Sequence, residues 1–133
     1  MEKEFVLYQE ALQLKELGFD EECFGQFIDD GKKFHWFKPN MTMVELHNIR
    51  GFEHRSHTNS MCCVGSQCTA PLYQQAFKWF IDNYKLRYKI EPTIGNKLEL
   101  FILDGISWVY IGSYNNDEEA KLFCIRKLIE IVK

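Results

Sequence analysis

The chain has no run of about 20 apolar residues, so no segment of it reads as a bilayer-spanning helix. Its start, Met1-Glu2-Lys3-Glu4, is charged and lacks the apolar stretch of a secretory signal. A cytoplasmic protein is therefore expected. Excess positive charge is also missing. Sixteen Lys and Arg against 19 Asp and Glu leave a net charge of −3. Wholesale phosphate-backbone binding needs clustered Lys and Arg, so duplex nucleic acid is disfavoured as a partner. Gly51, Gly65 and Gly95 stand singly, and no G-x-x-x-x-G-K-[ST] loop is available to cradle phosphates. Neither H-E-x-x-H nor G-x-S-x-G occurs. The five cysteines are odd in number and contain no C-x2-C pair, which points to reduced thiols rather than a disulfide framework.

Aromatic side chains, by contrast, are plentiful: eleven Phe, six Tyr and three Trp. Most must fill a core, and a surplus marks a binding surface. A chain of 133 residues can bury such a core in one domain, 1–133. The first helix is expected from about Phe5 to Leu17, with Leu7, Ala11, Leu14 and Leu17 on its buried stripe and Gly18 as its stop. Cys23–Ile28 and Lys33–Phe37 read as strands around the turn Asp29-Asp30-Gly31. Met41–Ile49 reads as a third strand. Arg50–Gln67, rich in Gly, Ser, His, Asn and Cys, reads as a long loop. Thr69-Ala70-Pro71 has the residues to open a second helix, with Thr69 as cap and Tyr73, Ala76, Phe77, Phe80 and Tyr84 on its apolar face.

The pattern then repeats. Leu86–Ile90, Lys97–Leu103 and Ile106–Tyr114 are expected strands, separated by the turns Gly95-Asn96 and Asp104-Gly105. Asp117–Lys133 is a closing helix, with Asn116 as cap and Glu119 completing a capping box. Its apolar stripe is Ala120, Phe123, Cys124, Leu128, Ile131 and Val132. An offset of 65 lays Leu7-Tyr8-Gln9 with Ala11 on Leu72-Tyr73-Gln74 with Ala76. The expected fold is α+β: two α-β-β-β units, 5–49 and 70–114, sharing one core under a closing helix, 116–133. Its antiparallel sheets are covered by helices. The second half has the αβββα order of double-stranded-RNA-binding domains, which it resembles in layout. Those domains grip phosphate with basic residues at the start of the last helix. Asp117, Glu118 and Glu119 stand there instead, so that activity does not carry over.

Two constellations carry chemistry. His54, His57, Cys62, Cys63 and Cys68 are residue types that zinc prefers, but H-x2-H-x4-C-C-x4-C is not a strong zinc signature. The bland alternative is a reduced loop whose cysteines pack or stay inert. Cys63 with His54 or His47 would make a nucleophile pair, although nothing supplies its orienting group or oxyanion hole. No catalytic residue is assigned, and no cofactor is expected, with zinc kept as the alternative. The second constellation is Trp108, Tyr110, Tyr88 and Phe101, which could stack bases, with Arg87, Lys89 and Lys97 on the backbone. Alternation requires one set of these aromatics to face the helices as core. Lys85, Arg87 and Lys89 are otherwise a solvated strand face guarding an edge.

Three segments carry a family resemblance. They are Ala11-Leu12-Gln13-Leu14-Lys15-Glu16-Leu17-Gly18-Phe19-Asp20-Glu21, Pro71-Leu72-Tyr73-Gln74-Gln75-Ala76-Phe77-Lys78-Trp79-Phe80, and the closing helix. With these, the chain resembles a family of small proteins from phages and prophages of Bacteroidetes that has no assigned activity. The resemblance covers the first twenty residues and the second and third helices. It fades from Ile28 to Gln67 and through the strands after Leu86. It implies an accessory protein that binds a host or phage protein, or a small ligand such as a nucleotide signal. A nucleic-acid module stacking single strands on its sheet is the first alternative. A small zinc or cysteine enzyme is the second.

Overall fold

The structure is a computed structural model, and it describes residues 2–36, 58–59 and 67–133. Among the described residues, three α-helices and six strands in two antiparallel three-stranded sheets make an α+β protein. They fall into two compact units, Phe5–Leu72 and Tyr73–Lys133, the second joined by the 3-10 turn Glu2–Glu4. No helix among the described residues is long and apolar enough to cross a membrane.

In the first unit, α1 (Tyr8–Glu16) packs on a sheet of β1 (Gly25–Ile28), β2 (Lys33–Trp36) and β3 (Cys68–Ala70), ordered β2-β1-β3. Asp29, Asp30 and Gly31 all have positive φ, which Asp tolerates and Gly favours, and so turn β1 into β2. A Cβ built on Gly31 would overlap the ring of Tyr8, so glycine also makes room for that ring. Tyr8 in turn meets Phe27 edge-on, with centroids 5.5 Å apart. Val6, Ala11, Leu14, Phe19, Cys23, Phe27, Cys68 and Ala70 are among this unit's buried apolar residues.

Several expectations change here. The helix begins at Tyr8, because Phe5 bridges to Leu72 and Val6 N–H donates to the Pro71 carbonyl at 2.9 Å. Leu7 becomes the N-cap and is exposed. Thr69 is not a helix cap. It lies in β3 opposite Gln26, and the second helix starts only at Tyr73. The physical reason is long-range: β1 takes a neighbour on each side, and Cys68-Thr69-Ala70 is small and buried enough to supply one. The expected strand Met41–Ile49 lies outside the described residues. So does the Arg50–Gln67 loop, apart from Thr58, Asn59 and Gln67. Asn59 is buried there, donating through Nδ2 to the Phe19 carbonyl (2.6 Å) and accepting from Thr69 N–H through Oδ1 (2.9 Å). Lys15 Nζ donates to the Gln67 carbonyl at 2.6 Å.

The second unit follows the αβββα order. It comprises α2 (Tyr73–Tyr84), the meander β4 (Arg87–Pro92), β5 (Leu98–Asp104) and β6 (Ser107–Tyr114), and α3 (Asp117–Val132). An offset of 65 separates Tyr8 from Tyr73, the first residues of α1 and α2. Asn116 caps α3 by accepting from Glu119 N–H at 2.8 Å. The Glu119 carboxylate accepts from Asn115 N–H at 3.4 Å, one residue earlier than a capping box requires. Lys121 donates to Asp117 at 2.9 Å and reaches Glu4 at 3.3 Å, tying the 3-10 turn to α3.

Both helices pack on one face of the sheet, α2 against β4 and α3 against β5, β6 and α2. The buried stripe of α3 is Ala120, Cys124, Ile125, Leu128 and Ile129, with Phe123 and Ile131 partly exposed. The stripe is rotated from the expected one because α3 must meet a helix on one flank and strands beneath. On α2, Trp79 replaces Tyr84 in the core for the same reason of flank.

Candidate functional site

The register of β4-β5-β6 sorts its side chains into two faces. Tyr88 pairs with Ile102, which pairs with Val109; Ile90 pairs with Leu100, which pairs with Gly112. This set faces the helices, where Leu100 and Ile102 are fully buried, while Val109 on the edge strand β6 stays 44% exposed. Tyr88 lies against Phe77 of α2, ring centroids 4.3 Å apart, and Tyr114 stacks on Phe123 of α3 at 4.9 Å. Burial pushes the Tyr88 hydroxyl above its ordinary pKa, with the nearby Cys124 adding to the shift. Tyr88 is therefore part of the core side and does not stand with the other candidate aromatics.

Neither helix of this unit packs on the opposite face, which holds three cross-strand rows. They are Arg87, Leu103 and Trp108; Lys89, Phe101 and Tyr110; and Glu91, Glu99 and Ser113. A bulge beside Leu100 and Phe101 leaves Ile111 as the extra residue, and the row pattern continues across it. Trp108 is 43% and Tyr110 54% exposed, large values for side chains of this size. Phe101 and Tyr110 meet edge-on at 5.7 Å. Lys89 Nζ lies 5.0 Å from the Phe101 ring centre and 4.7 Å from that of Trp108, and it pairs with Glu91 at 3.2 Å. Both ring distances are within the range of a cation–π contact. Beyond the Arg87 row, the β5–β6 turn puts Ile106 almost wholly in solvent, at 99% exposure.

So the structure brings Trp108, Tyr110, Arg87 and Lys89 together with Phe101 and leaves Tyr88 on the other side. Lys97 is exposed in the β4–β5 turn, where its carbonyl accepts from Thr93. Leu103, Ile106 and the acidic pair Glu91 and Glu99 also belong to this surface, and the reading of the sequence does not include them. The signal is there: period two carries the face from Lys89 to Glu91 and from Phe101 to Leu103.

Most of the metal-type constellation falls outside the described residues. His54, His57, Cys62 and Cys63 lie outside the described residues, as does His47 of the Cys-His alternative. Cys68 sits on β3, fully buried opposite Phe27. Among the described residues no group of three or more His, Cys, Asp or Glu is arranged to hold a metal ion. Cys124, on the core side of α3, has its thiol pushed well above the usual range by burial, which makes it a packing residue rather than a nucleophile. The start of α3 presents Asp117, Glu118 and Glu119, and Asp117 is ion-paired with Lys121. No family model, curated protein or solved structure matches the chain.

Proposed function

We propose that this chain acts by binding rather than by catalysis, and that the open face of β4-β5-β6 recognises a protein. The observation that carries this is the composition and layout of that face. Trp108 and Tyr110 are exposed around the half-buried Phe101, with Arg87 and Lys89 beside them. Trp, Tyr and Arg are the residues that dominate protein interfaces energetically. The charges are balanced: two cations lie in the upper rows and Glu91 and Glu99 in the lower one, with Lys89 and Glu91 paired across them. Such a face suits a partner with charges of both signs. A small ligand would favour a concave site, which an open sheet face does not supply. In the setting that the phage resemblance implies, the protein is an accessory factor acting on a host or phage protein.

Single-stranded nucleic acid is the second reading, favoured by the seat of Lys89 between two rings. Against it, Glu91 already engages Lys89, and Glu99 continues the acidic row where a phosphate backbone would run. The test is a photo-crosslinking amino acid at position 110, with position 83 of α2 as an exposed control. A protein adduct at 110, absent at 83 and lost with Trp108→Ser, is expected. Adducts containing only nucleic acid would establish the stacking platform instead. No adduct at 110 above the control would remove the open face as a recognition surface.

A further inference from the structure

Taken as a protein-binding surface, the reading on which this inference rests, the open face has a symmetry that narrows the kind of partner. Its three columns differ in chemistry. The β4 column is cationic at Arg87 and Lys89, the β5 column is apolar at Phe101 and Leu103, and the β6 column is aromatic at Trp108 and Tyr110. We infer that this face is self-complementary and that its occupant is a second copy of the chain, packed sheet against sheet.

The geometry is a two-fold axis running along β5 in the plane of contact. That rotation lays the β4 column of one copy over the β6 column of the other. Arg87 then meets Trp108 of the second copy, and Lys89 meets its Tyr110. Each cation faces an exposed ring, and symmetry makes each contact twice. Phe101 and Leu103 meet their own counterparts and form the dry centre. The alternative axis, across the strands, would put Lys89 on Lys89 in the middle of the contact. The favoured axis keeps like charges at the rim, where Glu91 and Glu99 of both copies share one row and water screens them. Twist sets two aligned sheets about 30° apart, which three short strands accommodate. Ile106, on the turn beyond the Arg87 row, extends the apolar rim towards the second copy.

Size sets the strength of this contact. Strands of six to eight residues rise about 3.4 Å per residue and lie about 4.8 Å apart. The face therefore offers roughly 300–400 Å² per copy, which is about 600–800 Å² in total and lies below the range of tight specific interfaces. A weak, reversible dimer with a Kd of roughly 0.1–1 mM is the result, not an obligate one.

Sedimentation of the full chain decides the matter, across roughly 1 µM to 1 mM to reach that class of Kd. The mass should rise from 15.8 kDa towards twice that value. The double variant Trp108→Ser with Tyr110→Ser should remain monomeric throughout with an unchanged urea midpoint. Arg87→Glu should weaken the dimer about tenfold, because it replaces both symmetric cations facing Trp108 with anions. A wild-type chain that stays monomeric at the highest concentration overturns the inference. So does a dimer that survives the double variant or is indifferent to Arg87→Glu. If wild type is monomeric while position 110 still crosslinks to another protein, only the self-partner fails and the recognition surface stands.

Discussion

Replacing Gly31 by alanine tests the packing of the first unit at one point, with two separable costs. Gly31 has φ +83°, a conformation that costs an L-residue about 1–2 kcal/mol. Its Cβ would also overlap Cγ and Cδ2 of Tyr8, and that ring cannot retreat freely because Phe27 holds it edge-on. Forcing atoms into a filled site costs about 1–3 kcal/mol more. Gly31→Ala should therefore destabilise by about 2–5 kcal/mol, a large share of a typical domain's 5–15. Gly18 is the internal control. It has φ +97°, but a Cβ there would meet nothing within 4 Å, so Gly18→Ala should show only the backbone cost. Truncating Tyr8 isolates the other term: in a Tyr8→Ala background the cost of Gly31→Ala should fall by about 1–3 kcal/mol. Urea titration followed by circular dichroism measures each of these proteins, and hydrogen exchange localises the loss to Phe5–Leu72. If Gly31→Ala costs no more than Gly18→Ala, or costs the same with and without the Tyr8 ring, the seating of Tyr8 on the turn is wrong.

The second unit carries two further expectations. Leu128→Ala should cost about 2–5 kcal/mol, since Leu128 is fully buried on α3, and a loss under about 0.5 kcal/mol in denaturant would mean that this helix is peripheral. Alkali should destabilise the protein through Cys124, whose thiol is raised above its ordinary value of 9.0 by burial. Its contribution is complete below that value and is lost as pH rises above it, because the unfolded thiol ionises first. Stability should then fall by about 1.4 kcal/mol per pH unit from this one group. Cys124→Ala should reduce the slope of urea midpoints between about pH 9 and 10; an unchanged slope would contradict the burial of the thiol.

Local chemistry makes much of this fold legible. Asn116 before three acids marks the start of α3, Asp29-Asp30-Gly31 marks the first hairpin, and alternation marks β4, β5 and β6. What escapes is decided by distant residues. Thr69-Ala70-Pro71 has the composition of a helix start, yet its conformation is set by β1, more than forty positions away in the chain. The α3 stripe escapes by a rotation because helical spacing says that a face is buried but not which neighbours share it. Tyr88 is a different kind of miss. Arg87, Tyr88 and Lys89 are consecutive in one strand, so Tyr88 cannot share a face with the other two, and parity alone removes it from the site.

The pairing of β3 with β1 also sets an order of events during synthesis. Phe27 pairs with Cys68, so completing the first sheet closes a loop of about 41 residues, with a chain-entropy cost of roughly 3 kcal/mol. The meander β4-β5-β6 joins only strands that are neighbours in the chain, and such local contacts form fastest. The amino-terminal half therefore leaves the ribosome first and is the slower to finish. Until Cys68–Ala70 emerges, β1 has one paired side and one bare one, and a bare strand edge is what other chains adhere to. Truncations that end before residue 68 should for this reason be the species most prone to aggregate, while a chain carrying β3 covers that side of β1.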